Sequence, residues 1–219
     1  MTGHTDPSPV EVRVSSWIEL ADALVRGLAH SLSNRIGALM ALMHLGPGDP
    51  AIEERGFLAG EIDRLQEINR ALKLLPADLN PRQEAVFPAD VVHDALALIG
   101  MHPRAKEITF AVHEQSDQPV RVERWAFLRL VLIVLDTARE ITMARGGDSI
   151  DVSIAGDEQS VVVSATPSGA ATSATLDAST DSLVDLLARS AAVCTVTLTA
   201  ISLRIPALVE LRRRERSPG

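Results

Sequence analysis

Residues 27–39 read GLAHSLSNRIGAL and set a histidine, His30, in the middle of a long apolar–polar repeat. Reading outward from it, Ala21, Val25, Leu28, Leu32, Ile36, Leu39 and Met43 recur at steps of three and four, the mark of one buried helical stripe. Upstream, SSWIEL (residues 15–20) supplies a capping box, with Ser16 as N-cap and Glu19 three residues on. Downstream, LGPGDP (45–50) ends the helix at Gly46 and Gly48, and Asp49 followed by Pro50 can open the next one. That second helix runs through AIEERGFLAGEIDRLQEINRALKLL (51–75), with an apolar seam of Leu58, Ile62, Leu65, Leu72 and Leu75 and one polar place at Asn69. Thirty helical residues span about 45 Å. A hairpin that long carries an apolar seam on each arm and cannot cover both by itself, so the pattern predicts a homodimer closed as a four-helix bundle.

Within this helix His30 faces the other way. Successive residues turn by about 100°, which puts His30 roughly 200° from Leu28 and Leu32 and about 120–180° from Ala21, Val25, Ile36 and Leu39. Asn34, one turn on, shares its side. A neutral imidazole nitrogen displayed on a stiff helix is a competent nucleophile near pH 7 and lies within reach of another protein's active site. Taken alone, a single surface histidine more often has no such role.

After PADLNPRQEAVFP (76–88) the pattern changes to mixed α and β. Pro88 opens the helix ADVVHDALALIG; EITFAV and PVRV read as strands; RWAFLRLVLIVLDTAREITMA is a long apolar helix. SIDVSIAGDEQSVVVSAT reads as a hairpin around Gly156 and Asp157, DSLVDLLARSAA as a helix, and VCTVTLTAISLRIPA as closing strands. The Ala/Ser/Thr-rich ATPSGAATSATLDAST (165–180) reads as a flexible loop. The expected organisation is a disordered leader over 1–14, the hairpin over 15–76, a linker and first strand over 77–87, an α/β domain over 88–208, and a basic tail over 209–219 that ends in LRRRERSPG.

Composition narrows the function classes. A formal net charge of −8 argues against general affinity for nucleic acid or an anionic membrane surface. The single cysteine, Cys194, leaves no disulfide framework and no thiolate metal site, and reads as a small core residue. No apolar run reaches membrane-spanning length, and MTGHTDPSPVEV lacks the apolar centre of a signal peptide, so a cytoplasmic location is expected. His44 reads as a partner of the first helix's C-terminal dipole, His4 lies in the leader, and His93, His102 and His113 show no metal-ligand spacing.

A helical hairpin with an outward histidine, then a linker, then an α/β domain with this order of elements resembles the sensor histidine kinases over residues 16–206. LAHSLSNRI (28–36) is similar to that family's phospho-acceptor box, with His30 at the acceptor place and Asn34 at the fourth place after it. Ser31 stands where the family has an acidic residue, and Arg35 where it often has proline. The resemblance implies an α+β fold: an N-terminal long helical hairpin forming a dimeric four-helix bundle, followed by a degenerate histidine-kinase ATPase-like α/β sandwich.

The same resemblance marks what is missing. In LVLIVLDTARE, aligned on Ala138, Ile133 and Thr137 occupy the family's two Asn places, and Asp136 beside them points in another direction. In ATPSG, Ala165 replaces the family's adenine-binding Asp and Pro167 its first Gly, leaving Gly169. AATSATLDAST supplies no glycine-rich lid. ATP is therefore not expected as a cofactor.

Ser31 is a poor base, which also disfavours autophosphorylation. Transfer between an aspartyl phosphate and an imidazole asks less of the chain, because a response-regulator receiver domain brings the Asp, the Mg²⁺ and a Lys. The resemblance thus implies a histidine phosphotransfer protein that relays phosphate between receivers through His30, with a hybrid histidine kinase as a further possible partner. Asn34 is a candidate for positioning phosphate or water, and Arg26, Ser31, Ser33 and Arg35 for partner docking. Three alternatives stay open: a silent pseudokinase that binds a kinase or regulator, an active or phosphatase-biased sensor kinase, and a structural helical adaptor.

Overall fold

A computed structural model describes residues 10–13, 16–43, 54–74, 82–104, 107–169, 174–177, 187–188, 192–197 and 199–208. The expected inter-helix turn with Asp49 and Pro50, His4 and His44, most of the helix expected over 181–192, and the basic tail lie outside these residues.

Strand β1 (Val10–Arg13) precedes two long helices, α1 (Trp17–Met43) and α2 (Glu54–Leu74). Helix α1 begins where the periodicity places it, its first backbone bond running from the Leu20 N–H to the Ser16 carbonyl, 3.0 Å. Then come β2 (Gln83–Val86), α3 (Pro88–Ile99), β3 (Thr109–Glu114), β4 (Val120–Glu123) and α4 (Arg124–Ala144). The chain continues as β5 (Ser149–Gly156), β6 (Ser160–Pro167), β7 (Ala174–Asp177), β8 (Val193–Val196) and β9 (Ile201–Pro206). Pro88 opens α3 as expected, since its fixed φ suits the first turn and its missing N–H is not needed there.

Five strands form the main sheet in the order β3-β5-β6-β9-β8, with β3 parallel to β5 and the other pairs antiparallel. The β5–β6 hairpin turns where Asp157 Oδ1 accepts the backbone N–H groups of Gln159 (2.9 Å) and Ser160 (2.8 Å), and these bonds hold its carboxyl below the usual range. Strict alternation on β5 sends Ile150, Val152 and Ile154 into the core under α4. Helix α4 is buried nearly all round because it is enclosed between that sheet and α3, to which Arg124 ties it by a 2.6 Å bond to Asp94. Strands β2 and β4 form a separate antiparallel pair. Cys194 is half-buried, and burial pushes its thiol pKa up, which disfavours the reactive thiolate.

Two features differ from the sequence expectation. The leader is not disordered throughout: residues 10–13 form β1, paired in parallel with β7, which lies inside the segment expected to be a loop. The stripe expected on α1 is also divided. Of its members Leu28 is buried, whereas Val25, Leu32 and Ile36 are exposed in the single chain; Leu20 and Leu24, outside the expected stripe, are buried with Leu28, and Met40 is exposed. The reason is geometric. Helix α1 packs against both α2 and α4, and their contact line runs along Leu20–Leu24–Leu28 rather than along the centre of the apolar stripe. On α2 the same split leaves Leu58, Ile62 and Leu72 exposed while Ile68 and Ala71 enter the core.

Candidate functional site

The candidate residues His30 and Asn34 both lie on α1. Burial on α1 ends at Leu28, and His30 stands exposed just beyond it. The Asn34 amide nitrogen lies 3.1 Å from His30 Nε2, one turn along the helix. An amide nitrogen only donates, so in this orientation Nε2 accepts and the ring proton sits on Nδ1. The contact turns Nε2 toward Asn34 on the polar face of the helix.

Around this pair Ser33 is exposed, and Arg26 is exposed and paired with Asp22 one turn earlier. Ser31 and Arg35, also expected at the docking face, are half-buried on the inward side. Arg35 is committed within the chain: its Nη1 lies 3.0 and 3.2 Å from the two carboxylate oxygens of Glu61 on α2. Arg64 Nη1 reaches the same carboxylate at 2.8 Å. Glu61 is 1% exposed, so its charge is held by the two arginines rather than by water. Sequence reading missed Glu61. The available signal was its place one heptad before Ile68, on the face of α2 that enters the core.

The positions where a nucleotide would be expected are closed. Thr137 is buried, and its hydroxyl donates back to the Ile133 carbonyl at 2.7 Å. The Asp136 carboxylate accepts from Arg139 Nε (2.9 Å) and Nη2 (2.6 Å), and that guanidinium also reaches Glu140 at 2.6 Å. Ala165 is fully buried in β6 opposite Val152 and Ile201, and Pro167 is buried opposite Ile150. None of these side chains offers a free carboxylate or amide to an adenine or to a metal ion, so the residues present do not fit that group.

Three further histidines are accounted for locally. His93 pairs with Glu114 at 3.1 Å and His113 with Asp151 at 3.5 Å, all four exposed. His102 is half-buried and accepts the Arg104 backbone N–H at 3.2 Å; burial, then the positive charge of Arg139, lowers its pKa below the ordinary histidine value. Among the described residues no three His, Cys, Asp or Glu side chains are placed to hold a metal ion. Nor is any helix there long and apolar enough to cross a membrane.

No protein-family model and no curated protein matches the chain. Solved structures do. The catalytic domain of histidine kinase ThkA matches with a TM-score of 0.45 at 14% identity, covering 57% of this chain and 97% of that one. The Acinetobacter baumannii histidine kinase AdeS matches with 0.45 at 10% identity, covering 83% and 97%. A bacterial phosphotransferase matches with 0.41 at 15% identity, covering 90% and 98%. Each likeness is distant.

Proposed function

We propose that this chain is a histidine phosphotransfer protein, in which His30 accepts a phosphoryl group from the aspartyl phosphate of a response-regulator receiver domain and returns it to another. One observation carries this reading: an exposed imidazole whose Nε2 lone pair is oriented by Asn34 at the edge of a rigid packed core. In the forward step Nε2 attacks phosphorus, the P–N bond forms, and the bond from phosphorus to the aspartate oxygen breaks. The aspartate leaves as a carboxylate, and the proton on Nδ1 stays with the ring or passes to water. The Asn34 amide, displaced from Nε2, then donates to a phosphoryl oxygen. A receiver would bring its own divalent cation, so the chain needs only to present the nitrogen in line.

The closed positions at Thr137, Ala165 and Pro167 support a reading without ATP, in which the α/β domain serves as a scaffold. The exposed apolar residues Val25, Leu32, Ile36 and Met40 on α1, with Leu58, Ile62 and Leu72 on α2, support assembly of two copies into a four-helix bundle. Each dimer would then carry two acceptors.

The test is to phosphorylate each receiver domain of the source organism with a radiolabelled small phosphodonor and mix it with the chain. Acid-labile, base-stable label on the wild type, absent from His30→Ala, is expected. Label retained by His30→Ala, or no transfer from any receiver, overturns the proposal. Binding of a receiver without transfer would favour the silent regulator, and label taken from ATP the kinase.

A further inference from the structure

Helix α1 and the strand before it are fastened to the α/β domain at four places, all before His30. Strand β1 pairs in parallel with β7, from Val10 opposite Ala174 to Arg13 opposite Asp177, and it runs against α4. At the start of the helix the Arg129 guanidinium on α4 sits 5.2 Å from the centre of the Trp17 ring. Farther along, Leu20, Leu24 and Leu28 share one continuous core with α3 and α4. The last contact in this series is the tightest. A Cβ placed on Gly27 would lie 1.8 Å from the Met101 carbonyl oxygen and 3.5 Å from Pro103 Cδ. Backbone, not a flexible side chain, fills that space, so only glycine lets the helix seat on the turn after α3. Gly27 has an ordinary helical backbone, hence it is there for the close approach rather than for its conformational freedom.

We propose that Gly27 is a positioning residue, seating α1 on the Met101 carbonyl so that the acceptor helix and the α/β domain form one rigid unit. His30 lies three residues past the seat, less than one turn. It is therefore held at a fixed height and rotation relative to the α/β domain, and the partner travels to it. The consequence for transfer rests on the phosphotransfer reading above; the seat itself does not.

The test exploits a reversal of sign. Glycine inside a helix is unfavourable relative to alanine by about 1 kcal/mol. Gly60 on α2 has no atom within 4 Å of a Cβ, so Gly60→Ala is expected to leave the seat intact and raise stability slightly. Gly27→Ala should do the opposite. By hydrogen exchange and mass spectrometry on the full chain, Gly27→Ala should show several-fold faster exchange over residues 20–31 and 98–104, and Gly60→Ala should match the wild type. Transfer from a phosphorylated receiver should fall in its maximal rate by about ten- to a hundredfold, the scale of an ångström-sized misplacement, with little change in KM. Unchanged exchange in Gly27→Ala overturns the seat. Faster exchange with unchanged transfer overturns the positioning role. Should Gly27→Ala fail to fold, deletion of residues 1–13 removes β1 and leaves α1 whole; faster exchange over 17–24 is expected, and wild-type exchange there would refute the rigid unit. Absence of transfer in the wild type counts against the proposed function alone, because the exchange readout does not involve phosphate.

Discussion

Glu61 offers the sharpest test of how the hairpin keeps its register. Its carboxylate is nearly inaccessible and bridges the two arms, taking both oxygens' worth of contact from Arg35 on α1 and one contact from Arg64 on its own helix. A hydrogen bond to a charged group contributes about 1.5–3 kcal/mol. The Arg35 side chain is 31% exposed, so water can recover part of its solvation and the lower end applies. The coupling between Arg35 and Glu61 should therefore be about 1.5–2 kcal/mol. Arg64 is 55% exposed and only one turn away, and its coupling to Glu61 should be about 0.5 kcal/mol or less. Urea denaturation of the wild type, Arg35→Met, Glu61→Gln and the double variant, at one fixed protein concentration, gives the first coupling; Arg64→Met in place of Arg35→Met gives the second. The single variant Glu61→Gln should lower stability by about 2 kcal/mol, since it strips the charge from a site built around it. If both couplings come out equal and near the surface value, the carboxylate is solvated in solution and the arms are held in register by apolar contacts alone.

Two further outcomes follow from exposure and charge. Ile36 is 48% exposed on the apolar side of α1, so Ile36→Glu should convert a dimer seen by light scattering into a monomer with the helical content unchanged; a wild-type monomer would refute the bundle outright. His102 has its pKa lowered in the folded state by burial and by Arg139, so the unfolded chain binds the proton more readily. Its contribution to stability is fully present above pH 6.5 and is lost as pH falls through that value toward the folded pKa. Arg104 and Arg139 oppose its protonation while Asp136 and Glu140 favour it, and stability measured from pH 7.5 to 5.5 should fall less steeply in His102→Gln than in the wild type.

Local pattern made most elements of the fold readable in advance. Pro88 marks the first residue of α3, and RWAFLRLVLIVLDTAREITMA coincides with α4. Gly156 and Asp157 mark the turn between β5 and β6. Period and turn chemistry act within a few residues, so a single sequence displays them. The partition of α1 was not readable, because the 3.6-residue repeat tells which residues are apolar but not which of two adjoining sectors its own chain covers. That depends on contacts with α4, about a hundred positions away. Gly27 escaped notice for the same reason: an isolated glycine in a helical pattern reads as a small cost, and its use appears only when the Met101 carbonyl is laid beside it. At the site, the pairing of His30 with Asn34 was legible as one helical turn. The commitment of Arg35 to Glu61 was not, being a contact between two arms whose register the sequence leaves open.

Helix α1 then has three sectors, each roughly a third of its circumference. Leu20, Leu24, Gly27 and Leu28 face the chain's own core; Val25, Leu32, Ile36 and Met40 form an exposed apolar sector; Arg26, His30, Ser33 and Asn34 form the polar one. Stepping at about 100° per residue, the centres of these sectors lie about 110–130° apart. The separation has a physical consequence. Covering the apolar sector, by a second copy or by any other helix, removes Val25, Leu32, Ile36 and Met40 from water without approaching the ring of His30. The seat on Met101 likewise fills its own sector and stops short of it. Two of the three faces can be spent on stability, and the third stays accessible whichever partner occupies the second. A helix with the same composition but with His30 moved one place, to 29 or 31, would carry the imidazole toward the apolar sector or the core. The spacing that puts it at 30 is therefore what keeps the imidazole on the polar sector, clear of the faces that hold the helix.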